Sequence, residues 1–271
     1  RTRDRPSSGR QYGVIGFKFA GGESNDQQYL PFHPEPTPMC GRYSLFAPRE
    51  DIEERFGATF ADDYEPRYNA APRQSLPVIT AEEPETIRHM EWGLIPSWAD
   101  DRSDFEFINA RAETVDQKRS FAEAYEQRRC LVPADGFYEW KAERGGKQPY
   151  RVTLADQRPF SMAGLYERWE PPQRQTGLGE FGAGTDSEDD DEIVETFTIL
   201  TTEPNEFMAD LHHRMSVILD PDEEATWLHG DEEARAALLG PYDGELASRP
   251  VSTAVNDPSN DSPAVLDAPE A

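Results

Sequence analysis

The stretch RRCLVPADGFYEWK (residues 128–141), followed by AERGGK (142–147) and QPYRVTL (148–154), decides the reading of the fold. Two runs rich in Val, Leu, Tyr, Phe and Trp flank a segment with two glycines. Such runs suit strands, and the Gly-Gly segment suits the turn between them. Working outward, GRYSLF (41–46), PFSMAGLYERW (159–169), ETFTILTT (195–202) and RMSVIL (214–219) also read as strands, and LPVIT (76–80) with IRHMEWG (87–93) as a hairpin. APREDIEERFG (47–57) reads as a short helix with Pro48 in its first turn, early acids and Gly57 as its stop. TVDQKRSFAEAYEQRR (114–129) is the best helix by pattern, with Phe121 and Tyr125 four apart. PNEFMADLH, PDEEATWLHG and DEEARAALLG are further short helices. Strands outnumber helices, so the class is α+β: a curved, mainly antiparallel sheet or open barrel with a few peripheral helices.

Composition bounds the remainder. The 271 residues include 53 acidic and 27 basic side chains, a net charge of −26, and only four lysines (Lys18, Lys118, Lys141, Lys147). Aromatics at 11% exclude an acidic disordered chain. A folded, acid-rich, lysine-poor surface fits life in molar salt, where carboxylates keep a chain soluble. Two cysteines form no disulfide framework and indicate reduced thiols in a cytoplasmic protein. No apolar run reaches the ~20 residues of a membrane helix.

Residues 1–38 differ from the body. They carry five basic and four acidic residues, a net of +1, so the remainder carries −27. The segment ends in PFHPEPTP, which neither helix nor central strand tolerates. It reads as a disordered tail, a removable leader, or translated sequence upstream of the true start. Residues 170–192 form an acidic, Gly/Pro-rich insertion, and residues 264–271 a tail, leaving 39–263 as one domain.

Four segments concentrate reactive side chains: MCGR (Cys40, Arg42), INARAET (Asn109, Arg111, Glu113), ADGFYEW (Asp135, Glu139) and LHHRM (His212, His213, Arg214). Each has a plain structural reading: a buried thiol, caps at strand ends, a solvent-facing Glu139, a histidine pair closing a helix. A zinc site from Cys40, Cys130, His212 and His213 lacks any local ligand pair at the usual spacing.

In order along the chain, MCGRYSLF, RYNAAP (67–72), WGLIPSWA (92–99), INARAET, RCLVPADGFYEWK, FSMAGLYERW, TILTTEPN (198–205), LHHRMSVIL and VNDPSND (255–261) together resemble the SOS response-associated peptidase (SRAP) family, the abasic-site processing proteins. The likeness runs from Met39 to about Pro263. It implies loss of Met39 and covalent capture of abasic sites in single-stranded DNA by Cys40, through a thiazolidine, with associated lyase or peptidase activity. It further implies Asn109 as a positioning group, Glu139 and His212 as acid/base groups, and Arg42 and Arg111 as phosphate ligands. Arg67 lies beside the motifs among the arginines expected to line the DNA groove. Trp92 and Pro96 fall in the segment shaping the DNA surface, and Trp92 and Trp98 are either base-stacking groups or core. No cofactor or metal is implied, and a monomer is expected. The alternative is an N-terminal-nucleophile thiol autopeptidase or amidohydrolase acting on its own leader or a peptide. One departure stands out: the family usually has Pro where this chain has Ser216.

Overall fold

The computed structural model describes residues 41–171 and 193–269, the side chain of Asp104 excepted. Cys40, the extension at 1–38 and nearly all of the acidic insertion lie outside those residues. The strands are β1 (Tyr43–Leu45), β2 (Thr59–Phe60), β3 (Arg67–Ala70), β4 (Ser75–Thr80), β5 (Thr86–Trp92), β6 (Asn109–Arg111), β7 (Arg129–Ala134), β8 (Gly136–Glu143), β9 (Gly146–Leu154), β10 (Phe160–Trp169), β11 (Val194–Thr202), β12 (Met215–Ser216), β13 (Ile218–Leu219) and β14 (Leu246–Pro250). Among the described residues five short α-helices accompany them: α1 (Arg49–Phe56), α2 (Ala122–Gln127), α3 (Glu206–Ala209), α4 (Glu224–His229) and α5 (Glu232–Ala237).

Strands β11, β10, β7, β4 and β5 pair in that order, and β5 then pairs in parallel with β11, at Thr196↔Glu91 and Phe197↔Trp92. The expected curved sheet therefore closes into a five-stranded barrel, and closure removes the edges that a free sheet leaves exposed. Trp92 fills the closure point, with its ring 6.2 Å from Phe197 and 5.3 Å from Tyr43. A second sheet, ordered β14-β9-β8-β1-β3, is antiparallel throughout and carries the 146–154 strand on the 136–143 strand as a hairpin, as the sequence implies.

The two sheets meet at Asp135. The run read as one strand is two: β7 pairs with β10 and β4 in the barrel, and β8 pairs with β9 and β1 in the second sheet. Asp135 sits at the break and accepts hydrogen bonds from Ser44 Oγ (2.7 Å), Ala47 N (2.9 Å) and Arg151 (2.9 Å), while its own N–H donates to the Ser44 carbonyl (2.8 Å). Gly136 follows because the Arg151 guanidinium lies where its Cβ would be, 2.7 Å away.

Local chemistry explains the helices. Gly57 closes α1 in the left-handed region at φ 62°, where a residue with a Cβ is disfavoured. Asn205 and Asp231 cap α3 and α5 through their side-chain oxygens. Arg129, in contrast, is buried and donates to the last carbonyls of α2 and α4, at Tyr125, Glu126, Trp227 and Leu228.

Two expectations are corrected. The long helix over 114–129 is only α2. The chain from Thr114 to Phe121 winds through turns, with Lys118 N donating to Thr114 O and Phe121 N to Lys118 O, and Phe121 and Tyr125 are both buried in the core. The expected tail is packed: Val265 is 1% exposed, clusters with Tyr138, Val251 and Val255, and Arg249 donates to Leu266 O. Just before it, Asp261 accepts from the Tyr68 and Asn69 N–H groups and pairs with Arg67 at 3.2 Å.

Removing one partner of a buried ion pair strands the other. Asp135→Ala is therefore expected to lower the unfolding free energy by about 3–5 kcal/mol in urea titration. A loss below about 1 kcal/mol would show that the corner is held elsewhere.

Candidate active site

The site is built where β8 passes the start of β1. Tyr43 pairs with Phe137, and Tyr138 N donates to Arg42 O at 3.0 Å, so the backbone just after Cys40 lies alongside β8 one residue from Glu139. Strand alternation separates the side chains of β8. Tyr138 joins the small apolar cluster, its hydroxyl bonded to Tyr68 O, and Trp140 donates to Asn256 Oδ1 at 2.7 Å. Glu139 does not face solvent. It is 3% exposed, and its Oε2 lies 3.9 Å from His212 Nδ1.

His212 follows α3, its N–H donating to Met208 O. Its Nδ1 lies 3.3 Å from the Arg214 carbonyl. A carbonyl only accepts, so this contact places the proton on Nδ1 and leaves the lone pair on Nε2. Burial lowers the His212 pKa first, His213 and Lys147 lower it further, and the Arg214 carbonyl opposes them. His213 itself is exposed, its ring 4.3 Å from that of His212.

Asn109 reaches the same region through β6, which pairs in parallel with β11 at Ile199, Leu200 and Thr201. On the other edge of β11, Thr201 and Thr202 pair with β12, just after His212. The segments INARAET and LHHRM, a hundred residues apart, thus flank one strand end. Arg214 ties them: it pairs with both oxygens of Glu113 and donates to Thr201 O at 2.7 Å.

The structure separates the expected phosphate ligands. Arg111 is exposed and Arg42 half-buried, and among the described residues neither forms an ion pair. Burial pulls the Arg42 pKa below the ordinary arginine value, opposed by Asp257. Arg67 is committed to Asp261 and Glu65, Arg73 to Glu106, and Arg128 to Glu167 and Glu123, so these arginines are not spare cations. Trp92 is wholly buried, donates from its indole to Ile108 O, and presents no face to DNA. Pro96 is buried as well. What that segment shows to solvent is Ser97 and Trp98, the latter 36% exposed under the Arg119 guanidinium at 4.1 Å. Cys130 is buried in the barrel wall, and burial pushes its thiol pKa up, so it is a poor nucleophile. Sequence reasoning missed Lys147, whose charge reaches His212 from the β8–β9 hairpin. Its only signal was a lysine beside Gly-Gly in a chain with four lysines. Among the described residues no group of three or more His, Cys, Asp or Glu could hold a metal ion, and no helix is long and apolar enough to cross a membrane.

The buried Glu139 side chain meets the His212 imidazole beside a strand that begins just after a cysteine, on a mixed β-barrel. The chain belongs to the SOS response associated peptidase family, whose model matches residues 39–258. It is similar to the abasic site processing protein YoqW of Bacillus subtilis, 38% identical over 240 residues that span 85% of this chain and 100% of that protein. It is also similar to the abasic site processing protein HMCES of Gallus gallus, 34% identical over 75% of this chain and 66% of that one. Among solved structures, a protein from Bacteroides thetaiotaomicron superposes with a TM-score of 0.72 at 28% identity, covering 84% of this chain and 99% of the other.

A histidine held neutral by folding stabilises the fold fully above its unfolded pKa of about 6.5, and that contribution is lost as pH falls through the lower folded value. NMR titration is expected to place the His212 midpoint below 6.5, and Lys147→Ala to raise it. A midpoint at or above 6.5 in the unaltered protein would contradict the assignment.

Proposed function

We propose that this protein captures abasic sites in single-stranded DNA covalently, through Cys40 as its first residue. The observation carrying this reading is that Gly41 and Arg42, the residues following Cys40, run beside Tyr138, while the adjacent Glu139 carboxylate meets His212 at 3.9 Å. Relatives named as abasic site processing proteins support the substrate class.

The chemistry needs a free terminus. An N-terminal cysteine places an amine and a thiol on adjacent carbons. The amine adds to the ring-opened aldehyde, and water leaves to give an imine. The thiol sulfur then bonds to the imine carbon while its proton passes to nitrogen, closing a five-membered thiazolidine. The second step is intramolecular and gains the effective molarity of a held pair. An α-amine of pKa about 7.8 is roughly a quarter to a third free base near pH 7.4, against about 0.1% for lysine. Within a longer chain Cys40 has only an amide nitrogen and cannot close the ring, so Met39 and whatever precedes it must be absent from the reacting form.

In this reading Glu139 donates the proton that opens the sugar and helps expel water, and neutral His212 accepts or returns protons at Nε2. Asn109 positions the sugar. Arg42 and Arg111 bind flanking phosphates, as guanidinium forks suit. At high salt the non-covalent grip weakens steeply, whereas a covalent bond is indifferent to ionic strength. The exposed Trp98 offers a stacking face for a base.

An abasic oligonucleotide tests this. A denaturant-stable adduct is expected from protein with a free Cys40 amine, and none from Cys40→Ser or from chains retaining Met39. Glu139→Ala is expected to slow adduct formation by roughly 10²–10⁴-fold, with a smaller slowing for Asn109→Ala and no change for Cys130→Ser. Cleavage of the Met39–Cys40 bond without any adduct would favour the autopeptidase instead.

A further inference from the structure

We propose that the Glu113–Arg214 ion pair is a positioning device that fixes the tautomer and orientation of His212. The proposal deepens the reading above and rests on it for the role of His212, though not for the geometry. Three contacts carry it. The Arg214 guanidinium pairs with both Glu113 oxygens. The same guanidinium donates to the Thr201 carbonyl (2.7 Å) and hydroxyl (3.3 Å), locking residue 214 onto the end of β11. The backbone carbonyl of that locked residue is the acceptor for His212 Nδ1 at 3.3 Å. One residue therefore anchors itself through its side chain and orients the imidazole through its main chain.

The arrangement has a clear electrostatic logic. Arg214 is nearly buried, with a side chain 12% exposed, and would be costly there without a counter-charge. Glu113 is 41% exposed and supplies that charge from the segment that also carries Asn109. The Arg214 hydrogen bonds hold the Glu113 carboxyl below its ordinary range, so the pair is ionised throughout the neutral region. Bidentate guanidinium–carboxylate geometry resists rotation, which a lysine ammonium would not. Asn109 and His212 are thereby referred to a single rigid link across β11. Loss of the link frees the 214 carbonyl to turn away. The ring then loses the contact that holds Nδ1 in place and is free to rotate away from Glu139 as well, so the two tautomers come closer in energy. The charged or titratable groups around the imidazole are Glu139 from β8, Lys147 from β9, and His213 and Arg214 from its own segment.

Imidazole 1H–15N NMR of the DNA-free full chain reads the tautomer directly. The unaltered protein is expected to show His212 as a single Nδ1–H tautomer. Glu113→Ala is expected to give a tautomer mixture and a shifted His212 midpoint, while Glu113→Gln, which keeps one acceptor oxygen, restores the Nδ1–H form in part. Arg214→Ala and the Glu113→Ala/Arg214→Ala double variant are expected to match Glu113→Ala. Should the Arg214 variants fail to fold, the half-exposed Glu113 variants still decide. In adduct assays Glu113→Ala is expected to slow capture by up to about 10²-fold with a displaced pH profile and little change in oligonucleotide affinity. An unchanged His212 tautomer in Glu113→Ala would overturn the proposal. Absence of any adduct in the unaltered protein would overturn the functional reading and leave the NMR comparison to judge the ion pair alone.

Discussion

The buried contact between Asp135 and Arg151 is the constraint on which the molecule turns. A single continuous apolar run leaves the barrel there and enters the second sheet, and backbone at such a break has donors that no ladder satisfies. The Asp135 carboxylate serves Ala47 N, Ser44 Oγ and Arg151 together, and Arg151 returns a bond to the Asp135 carbonyl at 2.8 Å. A charge buried this deeply is tolerable only because each lone pair has a partner. With that corner fixed, the register of β8 against β1 is fixed too, and so is the position of Glu139 relative to the chain leaving Cys40.

What the site gains from this frame is contrast between neighbours. A carboxylate, an imidazole depressed by burial and a nearby lysine sit within one small region, each held by a different element. The back of β8 is fastened by Tyr138 and Trp140 to the C-terminal loop, where the Asn69 amide donates to the carbonyls of Val255, Asp257 and Asn260. Glu139 is therefore presented from a strand pinned on its opposite face, which restricts where its side chain can move.

Much of this was legible in the residues. The strands of the 128–154 region, the hairpin at 76–93 and the Gly57 stop follow from alternation and turn chemistry, and Cys40, Asn109, Glu139 and His212 came from ordered motifs whose described members the fold brings toward one another. What sequence could not supply was direction. Glu139 among aromatics reads equally as solvent-facing, and only its pairing across β8 places it inward. Trp92 looks like a stacking group by composition, but it lies at the barrel closure, which no local pattern reveals. Arg67, Arg73 and Arg128 look like spare cations until their carboxylate partners, two to almost two hundred positions away, are seen. The 114–121 segment has helical periodicity, yet it winds through turns, and Phe121 packs edge-on against Phe107.

Closing the barrel by parallel pairing of β5 with β11 has a kinetic consequence. Thr196 meets Glu91 roughly a hundred positions later in the chain, and such distant pairing carries a loop-closure cost that slows folding. During synthesis the Glu91–Trp92 end of β5 emerges with one flank unfilled, and it stays so until the ribosome has delivered the start of β11.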